Sequence, residues 1–243
     1  MPSRADKTMV ERLLEDRPLF HEHPHDGHAV SWAVNAGVVW FIYENVKPDM
    51  VTLETGSGHS TVAFALAGAR HTAVTPRENE GKRILEYCTT LGIEPNVRFV
   101  SEHSDLALPC SKEIPPELDF AFIDGAHAFP LACVDFHYSE QRLKVGGIMG
   151  VDDIFMPSVR ILYDFLSADD DWDLVHQVKG TAFFRQLRKR DFQSDDPWTT
   201  QGINKAFWQR KLKREQSRWR WAVRLPIRIL KNPSHYLGQR DKS

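Results

Sequence analysis

The sequence is poor in cysteine and has no long hydrophobic run, and both features narrow the classes of protein that it can represent. Its 243 residues include three cysteines, Cys88, Cys110 and Cys133, and none of them forms a Cys-x-x-Cys pair. This count excludes a disulfide scaffold and a cysteine zinc cluster, and it favours a reducing compartment. The longest uncharged apolar run, residues 29–43, is shorter than the roughly 20 residues of a membrane span. Because the first residues also lack the apolar segment of a signal peptide, we expect a cytoplasmic protein.

The net charge of −2 hides an uneven distribution along the chain. Residues 204–243 hold 12 Lys or Arg and 2 acidic residues, interleaved with Trp208, Trp219 and Trp221, so an acidic body is followed by a basic tail. Three interpretations stay open. The tail docks on the acidic body or on a second subunit of a homo-oligomer, it lies peripherally on an anionic membrane surface, or it contacts nucleic acid, the least favoured partner.

Short apolar runs alternate with helical segments between residues 50 and 187 and predict an α/β fold. The predicted strands are 50–54, 71–75, 97–101, 118–123, 147–151, 172–178 and 181–187. The predicted helices are 9–15, 29–46, 61–69, 78–91, 131–143 and 159–166. This order predicts a doubly wound, mostly parallel, Rossmann-like sheet of seven strands that ends in a hairpin around Lys179-Gly180. Ligands of such sheets bind beyond the carboxyl ends of the strands.

A glycine loop follows the first predicted strand. Its sequence reads ETGSGHST from Glu54 to Thr61, and two glycines one residue apart let the backbone turn tightly and approach a ligand. A dinucleotide fingerprint requires a third glycine where Thr61 stands, which disfavours an NAD-dependent oxidoreductase. The carboxylate of Glu54 suits a cationic ligand that carries an amino acid, and an ordinary strand–helix turn is the alternative.

Carboxylates also end two later strands. Asp124 follows the strand 118–123, with His127 three residues on, and Asp152 and Asp153 follow the strand 147–151. Neighbouring strands lie about 4.8 Å apart, and carboxylates gathered there repel one another unless a proton or a cation lies between them. Hard oxygen ligands favour Mg²⁺ or Mn²⁺. The alternative is a metal-free site in which Asp124 and Asp152 cap helices and contact the ligand region.

These motifs resemble those of class I S-adenosylmethionine-dependent methyltransferases over roughly residues 46–187. The resemblance rests on the acidic-x-Gly-x-Gly loop, the aspartate after the fourth strand and the Gly-Gly before the fifth. It implies that S-adenosylmethionine is the cofactor and that the chain has three parts. These are an N-terminal helical cover (1–47), the cofactor-binding methyltransferase domain (48–190) and a basic helical C-terminal extension (191–243).

The same resemblance implies a set of cofactor-binding residues. Glu54, Gly56 and Gly58 are expected to hold the methionine part of the cofactor. Where the family usually places an acidic residue for the ribose hydroxyls, this chain has Thr75, with Glu78 and Glu80 further on, and Ser104 or Asp105 is expected near the adenine. The complete predicted set is Glu54, Gly56, Ser57, Gly58, Ser60, Thr75, Ser104 and Asp124.

The acidic strand ends are similar to those of metal-dependent O-methyltransferases of the catechol and macrolide-sugar kinds. This similarity implies that Asp124, Asp152 and Asp153 hold Mg²⁺ and that Asp124 and His127 are catalytic, with His127 as the base. The expected reaction is O-methylation of a small hydroxylated metabolite or a sugar. The alternative is a non-catalytic cofactor-binding or scaffold protein whose tail docks on a membrane or a partner, and turnover of S-adenosylmethionine would separate the two.

Four histidines alternate in one turn-like segment, at His21, His23, His25 and His28. Such a segment can bind a transition metal, but its spacing matches no tetrahedral site. The favoured interpretation is an exposed segment that serves as a lid over the ligand pocket.

Overall fold

The computed structural model of the chain describes residues 4–23, 25–190 and 201–204. The chain divides into two units, Met1–Arg190 and Asp191–Ser243, and the first contains all the elements described below. The predicted contacts of the basic tail fall almost entirely outside the described residues and stay a prediction, as does the division into three segments. Within the described ranges, no helix is long and apolar enough to cross a membrane.

Seven helices and nine strands follow one another in the described part of the first unit. The helices are α1 Lys7–Asp16, α2 Ala36–Asn45, α3 His59–Leu66, α4 Glu78–Thr90, α5 Ser104–Cys110, α6 Leu131–Arg142 and α7 Pro157–Ala168. The strands are β1 His21–Glu22, β2 Ala29–Val30, β3 Val51–Thr55, β4 Arg70–Val74, β5 Val97–Val100, β6 Leu118–Ile123, β7 Leu143–Val151, β8 Trp172–Val178 and β9 Thr181–Gln186.

The central sheet has seven strands in the order β5-β4-β3-β6-β7-β9-β8. The first five run parallel to one another, and β9 pairs antiparallel with both β7 and β8. The sequence-based prediction of a doubly wound, mostly parallel α/β sheet is therefore confirmed. The chain reverses its direction across the sheet between β3 and β6, where a ligand crevice is expected beyond the carboxyl ends of the strands.

Both faces of the sheet are covered by helices, because its central strands are apolar on both sides. Along β6, Phe120 and Phe122 pack into the cluster formed with α1, α2, α3 and α4. Ala121 and Ile123 point to the opposite face and pack with α5, α6 and α7. This alternation follows the two-residue period of a strand, and it explains why the sequence of β6 is nearly continuous in apolar residues.

The N-terminal region departs from the prediction. The expected helix over residues 29–46 is wrong in its first seven residues, because Ala29–Val30 pairs antiparallel with His21–Glu22 in a two-stranded hairpin. The helix begins at Ala36, where the side chain of Asn35 accepts a hydrogen bond of 3.0 Å from the backbone N–H of Gly37. An apolar run does not by itself show where a helix begins, and the capping side chain sets the start here. The short helix α5 was not predicted.

The Asn35 cap gives a test of this boundary. Replacing Asn35 with alanine removes the side-chain acceptor and should lower the free energy of unfolding by about 1 kcal/mol. Asn35→Asp keeps an acceptor in the same place and should stay close to the parent. Urea unfolding of the three proteins measures the difference, and equal stability of Asn35→Ala and parent would show that the cap contributes nothing.

Candidate active site

Two adjoining cavities open at the carboxyl edge of the sheet, one of about 290 Å³ and one of about 550 Å³. The smaller, here called the first cavity, lies between the glycine loop and the end of β4. The larger, the second cavity, lies over the ends of β6 and β7. Both are walled by Trp32 and by His21 of the N-terminal hairpin. The segment is predicted to be exposed, but His21 is buried at this wall, whereas His25 and His28 are exposed, and the lid role stays a prediction.

The two glycines of the loop serve different purposes. Gly56 has a φ of +96°, and a Cβ atom there would lie 2.3 Å from the carbonyl oxygen of Asp124. Gly56 is therefore required by the close approach of two loops of the protein itself. Gly58 has an extended backbone, and a Cβ atom there would meet only the ring of His21, at 3.3 Å. Of the two glycines, only Gly58 is not required by a backbone contact within the protein, so a ligand that approaches the loop could require it.

Glu54 occupies a different environment from the one predicted. Its carboxylate is completely buried and does not line either cavity. It accepts hydrogen bonds from Ser60 Oγ at 2.7 Å and from Thr61 Oγ1, and its Oε1 lies 3.1 Å from His71 Nε2. The expected direct contact of Glu54 with the cofactor is not supported, because its oxygens are already engaged. Ser60 lines the second cavity, but its hydroxyl donates to Glu54.

No acidic residue directly follows β4 in the sequence, but the carboxylate of Glu80 lies there, hydrogen-bonded to Thr75. Its buried carboxylate accepts hydrogen bonds from Ser57 Oγ at 3.1 Å and Thr75 Oγ1 at 3.3 Å. The other oxygen lies 3.0 Å from His21 Nδ1 and 3.1 Å from an Arg77 guanidinium nitrogen. Burial raises the pKa of Glu80, but these partners outweigh it and leave the pKa below its ordinary value. Glu80 therefore remains a carboxylate on the wall of the first cavity.

The remaining predicted residues of the cofactor set also lie at this edge. Ser57, Thr75 and Ser104 line the first cavity, and Asp124 lines both cavities. Arg77 was not predicted to lie at the site. Its guanidinium group contacts Glu80, and its guanidinium carbon lies 5.2 Å from the centre of the Trp32 ring. The hairpin that brings Trp32 to this wall was not visible in the sequence pattern.

The three predicted metal ligands and the predicted base meet in the second cavity. His127 Nε2 lies 3.1 Å from Asp153 Oδ2 and 3.9 Å from Asp124 Oδ1. Asp152 accepts a hydrogen bond from Thr181 Oγ1. Burial raises the pKa of Asp124 well above its ordinary range, and the charges of Asp152, Glu54 and Asp153 add to the shift. Burial also raises the pKa of Asp152.

These aspartates fit a hard divalent cation in their donor chemistry. Asp124 and Asp152 are close enough for their charges to oppose one another, and a cation between them would relieve that repulsion. Their oxygens do not converge with those of Asp153 into a compact cluster, since Asp153 faces His127 and the described residues place only His23, Asp26 and His28 in such a group. Asp124 and Asp152 are thus the better candidates for direct ligands.

His59 lies on the wall of the second cavity and was not predicted as a site residue. It is almost fully buried, and neither ring nitrogen has a hydrogen-bond partner among the described residues. Burial, assisted by the nearby His21, lowers its pKa to about 4. The ring is therefore neutral at physiological pH.

Comparison with known proteins agrees with this geometry. Residues 53–154 match the family model of a methyltransferase domain, and this stretch runs from β3 past the end of β7. The expected resemblance to class I S-adenosylmethionine-dependent methyltransferases is therefore confirmed. The matched stretch contains the glycine loop, Glu80, Asp124, His127 and the Asp152–Asp153 pair. No protein of curated function matches the chain in sequence.

Solved structures, one of them an O-methyltransferase, share the fold of this part of the chain at low sequence identity. The cofactor-bound protein Rv0187 of Mycobacterium tuberculosis has a TM-score of 0.56 and 16% identity over 74% of this chain and 90% of its own. The O-methyltransferase TomG of Streptomyces achromogenes, which is involved in tomaymycin synthesis and was solved with S-adenosylmethionine, has a TM-score of 0.55. It is 16% identical over 75% of this chain and 89% of its own.

The glycine loop yields a matched pair of variants. Gly56→Ala places a Cβ atom against the backbone of Asp124 at a positive φ and should cost at least about 2 kcal/mol of stability. Gly58→Ala should cost less than about 1 kcal/mol, because the ring of His21 can shift. Chemical denaturation measures both. Equal losses would show that the approach of the two loops is not what requires Gly56.

The protein should also lose stability in mild acid through His59. Its folded pKa of about 4 lies below the unfolded value, so between about pH 6.5 and pH 4 the unfolded chain binds a proton that the folded chain does not. Stability from this residue is complete above pH 6.5 and falls by up to about 3 kcal/mol as the pH is lowered to 4.

Urea unfolding of parent and His59→Gln at several pH values between 4 and 7.5 tests this expectation. The difference in unfolding free energy between the two proteins should shrink as the pH falls. Buried carboxyls with raised pKa values, such as Asp135 and Glu140, change stability in the opposite sense but are common to both proteins. A constant difference across the range would contradict the assigned shift.

Proposed function

We propose that this protein transfers the methyl group of S-adenosylmethionine to a hydroxyl oxygen of a small metabolite or sugar. The observation that carries the proposal is the position of His127. Its Nε2 lies 3.1 Å from a carboxylate oxygen of Asp153, in a cavity that directly adjoins the one between the glycine loop and Glu80. This position supports the proposal, because an imidazole can act as a base and this one lies beside the proposed cofactor cavity.

The first cavity is the proposed cofactor site. The carboxylate of Glu80 would accept hydrogen bonds from the ribose hydroxyls, and its partners Ser57 and Thr75 hold it at the cavity wall. Ser104 lies at the same cavity on the side expected for the adenine. Gly58 leaves room for the methionine part. In this proposal Glu54 acts indirectly, by fixing the first turn of α3 through Ser60 and Thr61.

The second cavity is the proposed acceptor site. S-adenosylmethionine would supply the electrophilic methyl group, whose bond to sulfur would break as the bond to the acceptor oxygen forms, leaving S-adenosylhomocysteine. Asp124 and Asp152 would hold Mg²⁺, which would lower the pKa of the acceptor hydroxyl. His127 would take the hydroxyl proton on Nε2, and the carboxylate of Asp153 would stabilise the resulting imidazolium. Methyl transfer requires an in-line approach, so the placement of the acceptor against the cofactor cavity is a large part of the catalysis.

The size and lining of the second cavity support a small, hydroxylated acceptor. Its volume of about 550 Å³ suits a metabolite or a sugar ring. Three carboxylates provide hydrogen-bond acceptors for several hydroxyl groups, and the half-exposed ring of Trp32 offers one apolar wall. The alternative of a non-catalytic scaffold has no observation in its favour among the described residues.

Formation of S-adenosylhomocysteine with a panel of hydroxylated acceptors tests the proposal. With a turned-over acceptor, His127→Gln should lower kcat by about 100-fold or more, because the base is lost. Its affinity for S-adenosylmethionine in calorimetry should stay near that of the parent. His137→Gln, an exposed histidine on α6, is the matched control and should be fully active.

The metal part of the proposal is tested separately. Asp124→Asn keeps the shape of the side chain but removes a charge, so it should weaken Mg²⁺ binding and slow turnover while the cofactor affinity changes little. Full activity in excess EDTA would remove the metal from the mechanism. Full activity of His127→Gln would remove the base, and an inactive panel with no cofactor binding would overturn the proposal as a whole.

A further inference from the structure

The turn of the N-terminal hairpin brings two imidazoles and one carboxylate to a single point. His23 Nδ1 lies 3.1 Å and His28 Nδ1 lies 2.5 Å from the same oxygen of Asp26, Oδ1. One potential ligand atom from each of the three residues lies within 4.8 Å of the other two, and no other described group of three or more His, Cys, Asp or Glu side chains does so. The rings of His23 and His28 stack with their centres 4.9 Å apart.

Backbone hydrogen bonds hold this arrangement independently of the side chains. The N–H of His23 donates to the carbonyl of His28 at 2.8 Å, and the N–H of Gly27 donates to the carbonyl of His23 at 2.9 Å. Gly27 has a φ of +71°, which a glycine adopts without strain. The strand pairs His21–Val30 and Glu22–Ala29 continue the hairpin below. The three side chains are thus presented by a closed turn.

One nitrogen in this group has no satisfactory partner. His23 Nδ1 is shielded from solvent and forms no aligned hydrogen bond with any described residue, although Asp26 lies 3.1 Å away. A buried polar atom without a hydrogen bond is costly unless something else occupies its lone pair. A metal ion would do so, and it would also neutralise the carboxylate that both rings contact.

We propose that His23, Asp26 and His28 form a binding site for a divalent transition-metal ion of the Zn²⁺ type. Two imidazole nitrogens and one carboxylate oxygen are ligands of Zn²⁺, Ni²⁺, Cu²⁺ or Co²⁺, whereas Mg²⁺ prefers an all-oxygen set. Water completes the coordination, since both His28 and Asp26 are exposed. The ring of His25, centred 5.4 Å from that of His23, offers a further nitrogen nearby.

This site differs in place and in chemistry from the acidic group at the ends of β6 and β7. It lies at the tip of a hairpin whose base carries His21, and His21 together with Trp32 walls the cofactor cavity. Metal binding would cross-link the two arms of the hairpin at its far end. The site therefore has a structural role and takes no part in the proposed methyl transfer, so it can be tested without an acceptor.

Titration of the full-length, tag-free, chelator-treated protein with Zn²⁺ in a calorimeter tests the proposal. The parent should bind one Zn²⁺ per chain at this site. His23→Asn, His28→Asn and Asp26→Asn should each weaken that binding by about tenfold or more, because each removes a direct ligand. The side chains are at an exposed turn, so the metal-free variants should melt at the temperature of the metal-free parent. Co²⁺ absorption, which reports imidazole coordination, should be lost in the same variants.

His137→Asn is the control and should bind Zn²⁺ like the parent, and Asp124→Asn should retain the Zn²⁺ ion that depends on the hairpin. Zn²⁺ binding that is lost in Asp124→Asn and retained in the three hairpin variants would place the ion at the acidic site and overturn the proposal. A parent that binds no Zn²⁺, or hairpin variants that bind it as tightly as the parent, would overturn it as well. None of these outcomes depends on methyltransferase activity.

Discussion

The buried carboxylate of Glu54 is the interaction on which the site depends. It lies at the end of β3, the strand at which the sheet reverses direction, and it joins β4 through His71 to the first turn of α3 through Ser60 and Thr61. A buried charge is tolerated only where its oxygens are hydrogen-bonded, so these three partners must keep their places. The glycine loop between β3 and α3 is thereby fixed at both ends before any ligand is bound.

The rest of the carboxyl edge is aligned to this loop by backbone contacts. The N–H of Asp124 donates to the carbonyl of Thr55 at 3.0 Å, and the N–H of Asp152 donates to the carbonyl of Ile123 at 3.0 Å. The ladders of the sheet thus continue one residue beyond β6 and β7 and carry the aspartates to the same level as Gly56. Since Gly56 contacts the backbone at Asp124 without room for a Cβ atom, the first and second cavities share one closely packed edge.

Much of this arrangement could be predicted from sequence because it depends on local periodicity. The alternation within β6 and the order of strands and helices suffice to give the sheet, and parallel strand ends place Asp124 and Asp152 together. The contacts of Glu54 could not be predicted, because His71 reaches it from a neighbouring strand and nothing local marks that residue as a partner. The position of Glu80 at the site could not be predicted either, because its carboxylate reaches the end of β4 only by folding back from the first turn of α4.

The N-terminal hairpin shows a second reason why part of the structure could not be predicted from the sequence. The apolar residues from Ala29 onward fit a helix, but two of them form a strand because His21–Glu22 offers an antiparallel partner, and Asn35 then starts the helix. Strands of only two residues are too short to show an alternating pattern, so their pairing could not be predicted from the sequence. The convergence of His23 and His28 on Asp26 follows from that turn and is equally hidden, since Asp26 is not one of the alternating histidines.

The charges at the site explain why a cationic ligand suits it. Asp124, Asp152, Asp153 and Glu80 gather around two adjoining cavities, and the pKa of Asp124 is raised because burial and the neighbouring carboxylates oppose its ionisation. A ligand with a positive charge, whether the sulfonium of S-adenosylmethionine or a divalent ion, relieves the same repulsion that otherwise retains a proton. In the proposed function a proton and a cation would therefore compete for these carboxylates. The side chains whose repulsion raises the pKa of Asp124 are the ones that would bind the cationic ligand.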